Sequence, residues 1–346
     1  MKKLPFAFLF MVSIISCEKT ALGENEPNTP ENNFELLWND FDQHYALFDV
    51  RGTDWKTLYD DYRPQINKTT SDAELWQILT DLLENLDDSH SVLYNADRSA
   101  IFRSGNTLNA QSESEFSQEI LTNTYLENVT RITSEVELSY GNIKGKNIGY
   151  IYLGSMNGGN PAIINTITKE LENSQALILD IRQNMGGEDR YGAKIAGAFT
   201  DETNLIYTVQ TRNGQEYDDF DTKKEFYTTP SDKNTYLKPV IVLTDRRTIS
   251  AGETFLLHMK SFEHVVQVGD TTAGDLSTVS NRRFLPNGWS YQYSIQKFLL
   301  PDGSSLDGIG HVPDIYVKNT ASGIAAGRDK VVEQALDYLS DEFGVE

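Results

Sequence analysis

The sequence predicts an α/β protein whose mixed core follows a small helical region. Three short runs of β-branched and apolar residues, Ile148 to Leu153, Ala176 to Ile181 and Val240 to Leu243, are typical of strands buried in a parallel sheet. Amphipathic helical patterns near residues 161–173 and 189–199 separate these runs. Because strands alternate with helices, we expect a sheet that is covered on both faces.

The same core is expected to continue to the end of the chain. A further helix is predicted over residues 250–262, a strand from Tyr291 to Leu300 and a terminal helix over residues 326–342. We therefore assign residues 147–346 to one core domain.

A small helical domain is predicted ahead of the core, over residues 34–91. Apolar and aromatic residues recur there at three- and four-residue spacing, which indicates three amphipathic helices. The second helix is expected to stop at Pro64, and the third to begin at Ser71, with Glu74 completing a capping box. Residues 92–146 are polar, and we expect only short strands in this connecting segment.

The first residues have the features of an export signal. Lys2 and Lys3 precede the apolar run Leu4 to Ile15, which is too short to span a bilayer as a helix. The run is followed by Ser16-Cys17, which resembles the lipobox of bacterial lipoproteins, whose cysteine becomes acylated and forms the new N terminus.

This resemblance implies a protein anchored in the bacterial cell envelope, on the periplasmic or the outer face. Residues 1–16 would be the signal peptide, a lipid on Cys17 the membrane anchor, and residues 17–33, rich in Glu, Asn, Pro and Thr, a flexible tether. The alternative is an ordinary secretory signal with an incidental cysteine. Cys17 is the only cysteine, which excludes a disulfide within the chain.

The charge balance bears on the partners of the protein. The chain has 30 Lys and Arg against 51 Asp and Glu, a formal net charge of -21. Such an acidic surface repels phosphate backbones, so we do not expect nucleic-acid binding. No group of His, Cys and Asp residues has the spacing of metal ligands, so no metal or organic cofactor is implied.

A double glycine follows the second predicted core strand. Gly186 and Gly187 stand in the turn between that strand and the next helix. Glycines at such a turn let backbone N–H groups face outward, where they can stabilise an oxyanion or hold an anion. The alternative is a plain strand-to-helix turn.

Ser250 opens the helix that follows the third predicted core strand. A serine at this position is most often an N-cap. The same position also suits a nucleophile, because its hydroxyl lies at the positive end of the helix dipole and the next N–H can point at a developing oxyanion. Both interpretations stay open on the pattern alone.

A serine nucleophile needs a base within hydrogen-bond reach, and the chain has five histidines. His258 and His264 lie in or after the helix that Ser250 opens. His44 lies on a helical face, and His311 lies in a glycine-rich turn. His258 is two helical turns from Ser250 and cannot fold back to it. The fifth, His90, is flanked by the acids and hydroxyls of Asp87-Asp88-Ser89 and Ser91, which can hold an imidazole in one tautomer. The alternative is that His90 caps a helix C terminus.

Four segments in this order resemble the core of the S41 peptidases, a family that includes the tail-specific and C-terminal processing proteases. They are Asn-Met-Gly-Gly at 184–187, Ser-Ala-Gly-Glu at 250–253, Val-Gly-Asp-Thr-Thr-Ala-Gly at 268–274, and Pro-Asp-Gly at 301–303 through Gly-His-Val-Pro-Asp-Ile at 310–315. The resemblance covers residues 147–318 and implies the ClpP/crotonase-like α/β spiral. Phe34 to His90 is similar to the helical domain that precedes the core in tricorn-like members.

The departures from the family pattern point to one subgroup. Processing proteases pair their serine with a lysine at the position occupied here by Asp275, so a Ser–Lys dyad is excluded. Tricorn-like members use a Ser–His arrangement, with a second serine before the histidine and a glutamate before the final glycine-rich turn. Ser89, His90 and Asp307 stand at these places, although Asp307 is one methylene shorter than the family's acid. The segment between His90 and the core is too short for the PDZ domain that many relatives carry.

The resemblance implies a serine-type peptidase that acts on peptides or proteins. Ser250 would be the nucleophile and His90 its base, with Ser89 and Asp307 orienting and polarising the imidazole.

The backbone N–H groups of Ala251 and of either Gly186 or Gly187 would form the oxyanion hole. Two alternatives remain: a catalytically inactive or ligand-binding module on the same fold, and an esterase that uses the same residues. The sequence leaves the oligomeric state open.

Overall fold

The computed structural model describes residues 26–105, 115–233 and 235–345. The predicted signal peptide and Cys17 lie outside the described residues. Within those ranges, no helix combines the length and the apolar character needed to cross a bilayer.

The N-terminal region is helical, as the residue spacing predicts. Its helices are α1 (Pro30–His44), α2 (Phe48–Arg51), α3 (Trp55–Tyr62) and α4 (Asp72–Glu84). The predicted capping box is confirmed: the Ser71 hydroxyl accepts the N–H of Glu74, and the Glu74 carboxylate accepts the N–H of Ser71. These two bonds satisfy donors that a helix start otherwise leaves unpaired.

The rest of the described chain contains strands and helices. The strands are β1 (Val92–Tyr94), β2 (Ile101–Arg103), β3 (Leu126–Arg131), β4 (Leu138–Ile143), β5 (Ile148–Leu153), β6 (Ala176–Asp180), β7 (Asn204–Thr211), β8 (Lys224–Thr228), β9 (Val240–Thr244), β10 (Val265–Gly269), β11 (Arg283–Phe284), β12 (Ser290–Gln292), β13 (Gln296–Leu299) and β14 (Ile315–Tyr316). The helices are α5 (Gln118–Ile120), α6 (Ile163–Glu170), α7 (Asp189–Ala196), α8 (Ala251–Lys260), α9 (Ala321–Ala325) and α10 (Lys330–Phe343).

A seven-stranded sheet in the order β14-β10-β9-β6-β5-β4-β3 forms the centre of the molecule. Strands β5, β6, β9, β10 and β14 are parallel, and β4 and β3 extend the sheet antiparallel. Leu177 and Leu179 pack on one face against α6, α7 and α8, while Ile178 packs on the other face against α10. This alternation confirms the predicted α/β core with both sheet faces covered.

The helical region packs against a later part of the core. The ring of Phe41 in α1 lies 4.6 Å from that of Tyr293, and Leu285 and Trp289 belong to the same apolar cluster. Strand β1 pairs with β12 and β2 in a four-stranded sheet. Because α4 and β1 are both held in this way, the segment between them, which contains His90, is fixed against the core.

One predicted strand is wrong as a single element. The run from Tyr291 to Leu300 divides into β12, which pairs with β1, and β13, which pairs with β7 in a separate three-stranded sheet. Tyr293 packs into the cluster of the helical region, whereas Phe298 packs into a second cluster with Tyr207. The chain therefore changes sheets between these two apolar residues. Strands β7, β8, β10, β11 and β14 were not predicted from the sequence.

Candidate active site

Ser250 lies in a strained backbone conformation at the start of α8. Its φ and ψ angles are 57° and -124°, and its side chain makes no capping hydrogen bond. A positive φ in a serine costs on the order of 1–3 kcal/mol and must be imposed by its surroundings. The N–H of Ser250 donates to the carbonyl oxygen of Asp275 (3.1 Å), and its own carbonyl accepts the N–H groups of Glu253 and Thr254 (2.8 and 3.0 Å). The hydroxyl is thus not used as an N-cap.

The double-glycine turn lies directly against Ser250. Both glycines have positive φ angles, 87° at Gly186 and 141° at Gly187. A Cβ on Gly186 would stand 2.7 Å from the Cβ of Ser250 and 3.1 Å from the nitrogen of Ala251. A side chain at either glycine would also require a backbone conformation that L-residues rarely adopt. The structure therefore brings together the turn and the serine that the sequence singled out.

The backbone N–H groups around Ser250 differ in their hydrogen bonding. The N–H of Gly186 donates to the side-chain oxygen of Asn184 (2.9 Å). Within the described residues, the N–H groups of Gly187 and Ala251 have no acceptor. Of the two glycines, Gly187 is thus the one whose donor is free.

Asn184 holds the glycine turn to the nucleophile loop. Its side chain is fully buried and donates to the carbonyl of Leu153 (2.8 Å) while accepting the N–H of Gly186. Its backbone carbonyl accepts the N–H of Ile249, the residue before Ser250 (3.0 Å). In the sequence, Asn184 stands within the Asn-Met-Gly-Gly motif, and no local pattern indicates this role.

His90 lies in the loop between α4 and β1 and is buried. The backbone N–H of His90 donates to one carboxylate oxygen of Asp88 (3.0 Å), and the other oxygen of Asp88 accepts the Ser91 hydroxyl (3.2 Å). The Nδ1 atom of His90 is buried and has no hydrogen-bond partner within the described residues. The loop conformation is therefore set by Asp88, and the imidazole is left free of local bonds at Nδ1.

Asp275 connects the His90 loop with Ser250. Its carboxylate accepts the Ser89 hydroxyl at 2.6 Å, and its backbone carbonyl accepts the Ser250 N–H at 3.1 Å. Burial and the neighbouring Asp88 raise the pKa of Asp275, and its interaction with Arg51 and with a protonated His90 opposes that rise. From the sequence, Asp275 was recognised only as the residue that stands in place of a lysine, and these contacts were not predicted.

Arg51, at the end of α2, is the cation of this site. It forms an ion pair with Asp275 at 2.5 Å and donates to the carbonyls of Gly274 (2.9 Å) and Asp87. Both side chains of the ion pair are almost fully buried, with 5% and 1% exposed. No sequence signal distinguishes Arg51 from other charged residues of an amphipathic helix.

Asp307 lies beside this cluster but is not hydrogen-bonded to His90. Its Oδ1 accepts the backbone N–H groups of Leu276 (2.8 Å) and Ser277 (3.4 Å). Burial raises the pKa of Asp307 to about 8, against the opposing charge of Arg51. Its predicted role as the acid of His90 stays a prediction.

Glu253 organises the loop that carries Asp275. Its fully buried carboxylate accepts the hydroxyl of Thr272 (2.6 Å) and the N–H groups of Gly274 (2.8 Å) and Asp275 (2.9 Å). Burial raises the pKa of Glu253 to about 7. The glutamate of the Ser-Ala-Gly-Glu segment thus fixes the position of Asp275 relative to α8.

A second carboxylate, Asp189 at the start of α7, contacts Thr254, which lies one helical turn beyond Ser250. It accepts the hydroxyl of Thr254 (2.7 Å), burial raises its pKa, and the charge of a protonated His90 lowers it. Asp189 and Asp275 are therefore both close enough to His90 to interact with its charge.

The other histidines occupy separate surroundings. The Nδ1 of His258 pairs with the Thr228 hydroxyl (2.6 Å), and burial lowers the pKa of this imidazole to about 4. Burial lowers the pKa of His311 to about 3. His44 contacts Asp40 in α1 (3.0 Å). These contacts are those of structural side chains.

The chain matches the models of two protein families. Residues 147–317 match the model of peptidase family S41, and residues 27–84 match that of the tricorn protease C1 domain. A crystal structure of a candidate peptidase from Parabacteroides merdae is 30% identical, has a TM-score of 0.80, and the alignment covers 90% of this chain and 97% of that one.

Two further similarities are more limited. Mature CPAF, in complex with lactacystin, is 13% identical with a TM-score of 0.66 over 90% of this chain and 97% of that one, a likeness of fold alone. The carboxy-terminal processing protease CtpB of Bacillus subtilis is 28% identical over 178 residues, which are 51% of this chain and 35% of that protein. The match thus spans about a third of the length of CtpB. The two family models and the near-complete match to the Parabacteroides protein confirm the resemblance seen in the motifs: the chain belongs to peptidase family S41.

Proposed function

We propose that this protein is a serine-type peptidase that cleaves peptide bonds through an acyl-enzyme. The observation that carries the proposal is the setting of Ser250. Its hydroxyl makes no capping bond, the turn at Gly186 lies against its Cβ, and Asp275 links its backbone to the Ser89–His90 loop. The neighbouring N–H groups of Ala251 and Gly187 have no acceptor within the described residues.

In the proposed reaction, the Ser250 oxygen attacks the carbonyl carbon of the substrate while His90 accepts the hydroxyl proton. The substrate oxygen gains negative charge, which the N–H groups of Ala251 and Gly187 stabilise. His90 then donates the proton to the leaving amine, and the C–N bond breaks. Water then attacks the acyl-enzyme while His90 accepts a proton from it. His90 returns this proton to the Ser250 oxygen as the ester bond breaks, which releases the acid product and free Ser250.

Membership of the S41 family favours peptides or proteins as substrates. The same residues can hydrolyse an ester, and the leaving group is the difference between the two activities. No feature of the site favours an esterase or an inactive binding module over a peptidase. We propose in addition that the protein works in the cell envelope, tethered by a lipid on Cys17, because the lipobox-like Ser16-Cys17 follows an apolar run of signal-peptide length.

A fluorophosphonate probe tests the nucleophile and the base. We expect the probe to label wild type and to miss Ser250→Ala, and labelling of His90→Ala to be slower by at least about 100-fold, because general-base catalysis contributes about 10²–10⁴-fold. Matched controls are Ser261→Ala, just beyond the end of the same helix, and His44→Ala in α1. Both controls should be labelled like wild type.

Turnover of peptide substrates tests the activity itself. A mixture of unstructured peptides, analysed by mass spectrometry, should be cleaved by wild type and left intact by Ser250→Ala. Cleavage of esters alone would support the esterase. Labelling and turnover that survive in Ser250→Ala would contradict the proposed function.

A further inference from the structure

The site contains more buried negative charge than one cation balances. Asp88, Asp275 and Asp307 are all nearly or fully buried, and Arg51 interacts with each of them. Burying an ionised carboxylate costs several kcal/mol unless it is paired and hydrogen-bonded. The three acids therefore cannot all be equivalent, and their contacts show how they differ.

The ion pair belongs to Asp275. Arg51 lies 2.5 Å from one of its oxygens, and the Ser89 hydroxyl lies 2.6 Å from the other. Short bonds of this kind, between a charged donor or acceptor and its partner, stabilise the ionised carboxylate. Asp307 has no such partner: its acceptor bonds come from the backbone N–H groups of Leu276 and Ser277 and, at 3.5 Å, from the Ser305 hydroxyl. Because Asp307 is buried without a paired cation or a short hydroxyl bond, it is the better site for a proton.

We propose that Asp275, fixed by Arg51, is the acid that positions and stabilises His90, acting through the Ser89 hydroxyl. This inference rests on the proposed function. It assigns the supporting role to the residue that replaces a lysine of the processing proteases, and it gives Asp307 a structural role instead.

The hydrogen-bond direction explains how Asp275 acts on His90. Ser89 donates its single hydroxyl proton to Asp275, so its oxygen retains only lone pairs with which to bind a neighbouring donor. The Nδ1 of the adjacent His90 is buried and without another partner in the described residues. An N–H at Nδ1 directed to Ser89 would leave Nε2 free to accept the Ser250 proton.

Charge supplies the second part of the effect. When His90 takes the Ser250 proton it becomes an imidazolium, and a nearby carboxylate in a water-poor site stabilises that cation without taking the proton. Asp275 also accepts the Ser250 N–H through its backbone carbonyl. Asp275 therefore fixes the backbone position of the nucleophile and supports its base.

The test compares Asp275→Asn with two other variants of buried aspartates. Asp275→Asn should lower kcat by about 10³- to 10⁴-fold with a small change in KM, the size of effect that loss of a supporting acid has in a Ser-His-Asp site. Without the carboxylate, an imidazolium is harder to form, so the acid limb of the pH–rate profile should shift to lower pH by about one unit. Asp329→Asn, which breaks a buried Asp–Arg pair with Arg182, is the matched structural control. It should lower Tm but leave the acid limb in place.

Asp307→Asn decides between the two acids. We expect a smaller loss of kcat than for Asp275→Asn and an unshifted acid limb. A wild-type kcat and acid limb in folded Asp275→Asn would overturn the proposal, as would a shift of the acid limb in Asp307→Asn instead.

Ser89→Ala keeps the test valid if Asp275→Asn does not fold. It removes the link to His90 and leaves the Arg51–Asp275 pair intact, so the acid limb should again shift to lower pH; an unshifted limb would contradict the proposal. Ser250→Ala and His90→Ala separate the two levels of inference. If these two variants remain active, the proposed function fails. If they are inactive while Asp275→Asn is unaffected, only the role of Asp275 fails.

Discussion

Gly186 and Ser250 lie so close together that a Cβ on the glycine would stand 2.7 Å from the Cβ of the serine. The glycine also has a φ of 87°, a conformation that few side chains tolerate. Two independent constraints, space and backbone angle, therefore require glycine at this position. The close approach keeps the turn that carries the Gly187 N–H beside the nucleophile.

Gly186→Ala should abolish probe labelling and peptide turnover, because the methyl group must displace either Ser250 or the turn. Gly145→Ala is the matched control, since Gly145 has a φ of 67° but nothing within 4 Å of the added Cβ. Both variants carry the backbone strain, about 1 kcal/mol or more, and only Gly186→Ala carries the clash. Equal turnover in the two variants, corrected for the folded fraction, would contradict the assignment of this turn to the site.

Asn184 is expected to hold the donors of the oxyanion hole in place. In Asn184→Ala, the Gly186 N–H loses its acceptor and the buried carbonyl of Leu153 loses its donor, so the turn is free to shift away from Ser250. Loss of one such donor costs about 100- to 1000-fold in kcat, and we expect an effect of this size with little change in KM.

Asn319→Ala provides the comparison for Asn184→Ala. Asn319 is also buried and donates to Asp329, away from the site. Both variants should lose stability by about 1–3 kcal/mol, the usual result of leaving a buried group unpaired. If Asn319→Ala loses as much turnover per folded molecule as Asn184→Ala, the loss is a general effect of instability.

Asp307 should make the stability of the protein fall as pH rises. Its pKa is raised by burial to about 8 in the folded protein, from an ordinary value of 3.8. Between about pH 4 and pH 8 the unfolded chain has lost this proton while the folded protein retains it, so the unfolded state binds fewer protons and the free energy of unfolding decreases. The titratable and charged groups that interact with Asp307 are Arg51, Asp88, Asp275 and Tyr45.

Asp307→Asn removes this titration. The free energy of unfolding of both proteins is measured in urea. The difference between wild type and Asp307→Asn should decline from pH 4 to pH 8 and change little below that window. Parallel curves for the two proteins would show that Asp307 titrates normally. Because the measurement reports stability alone, it is independent of any role of Asp307 in turnover.

The sequence predicted the parts of the site that depend on local pattern. Ser250 and the double glycine each follow a buried strand and precede a helix, and parallel strands bring their carboxyl ends to one edge of the sheet. His90 could be singled out because acids and hydroxyls surround it in the chain. The strand pairing of β5, β6 and β9 follows from the same apolar runs.

The parts that were missed depend on contacts between distant residues. Arg51 and Asp275 are 224 positions apart, and neither has a local feature that indicates a partner. Strands β12 and β13 look like one strand because each contains aromatic residues within one continuous run, and only the packing of Tyr293 and Phe298 into different clusters separates them. The role of Asn184 likewise requires the position of Ile249, which belongs to another loop.

Cys17 is expected to carry the membrane anchor. In a bacterium that processes lipoproteins, metabolic labelling with a clickable palmitate should mark wild type, and the protein should sediment with membranes. Acyl chains contribute about 0.8 kcal/mol per buried methylene, which is the source of the membrane binding expected here. Cys17→Ser should be unlabelled and should leave the membrane fraction.

A fatty acyl group could also become attached to Ser250, if the enzyme uses an acylated substrate. Ser250→Ala resolves this point, because an acyl group on Cys17 persists in that variant whereas one on Ser250 is lost. We therefore expect Ser250→Ala to be labelled like wild type, and the double variant with Cys17→Ser to be unlabelled. Wild type that is secreted, unlabelled and absent from membranes would show instead that residues 1–16 form an ordinary secretory signal. Label that follows Ser250 and ignores Cys17 would remove the anchor and point to an acyl-transfer activity at the nucleophile.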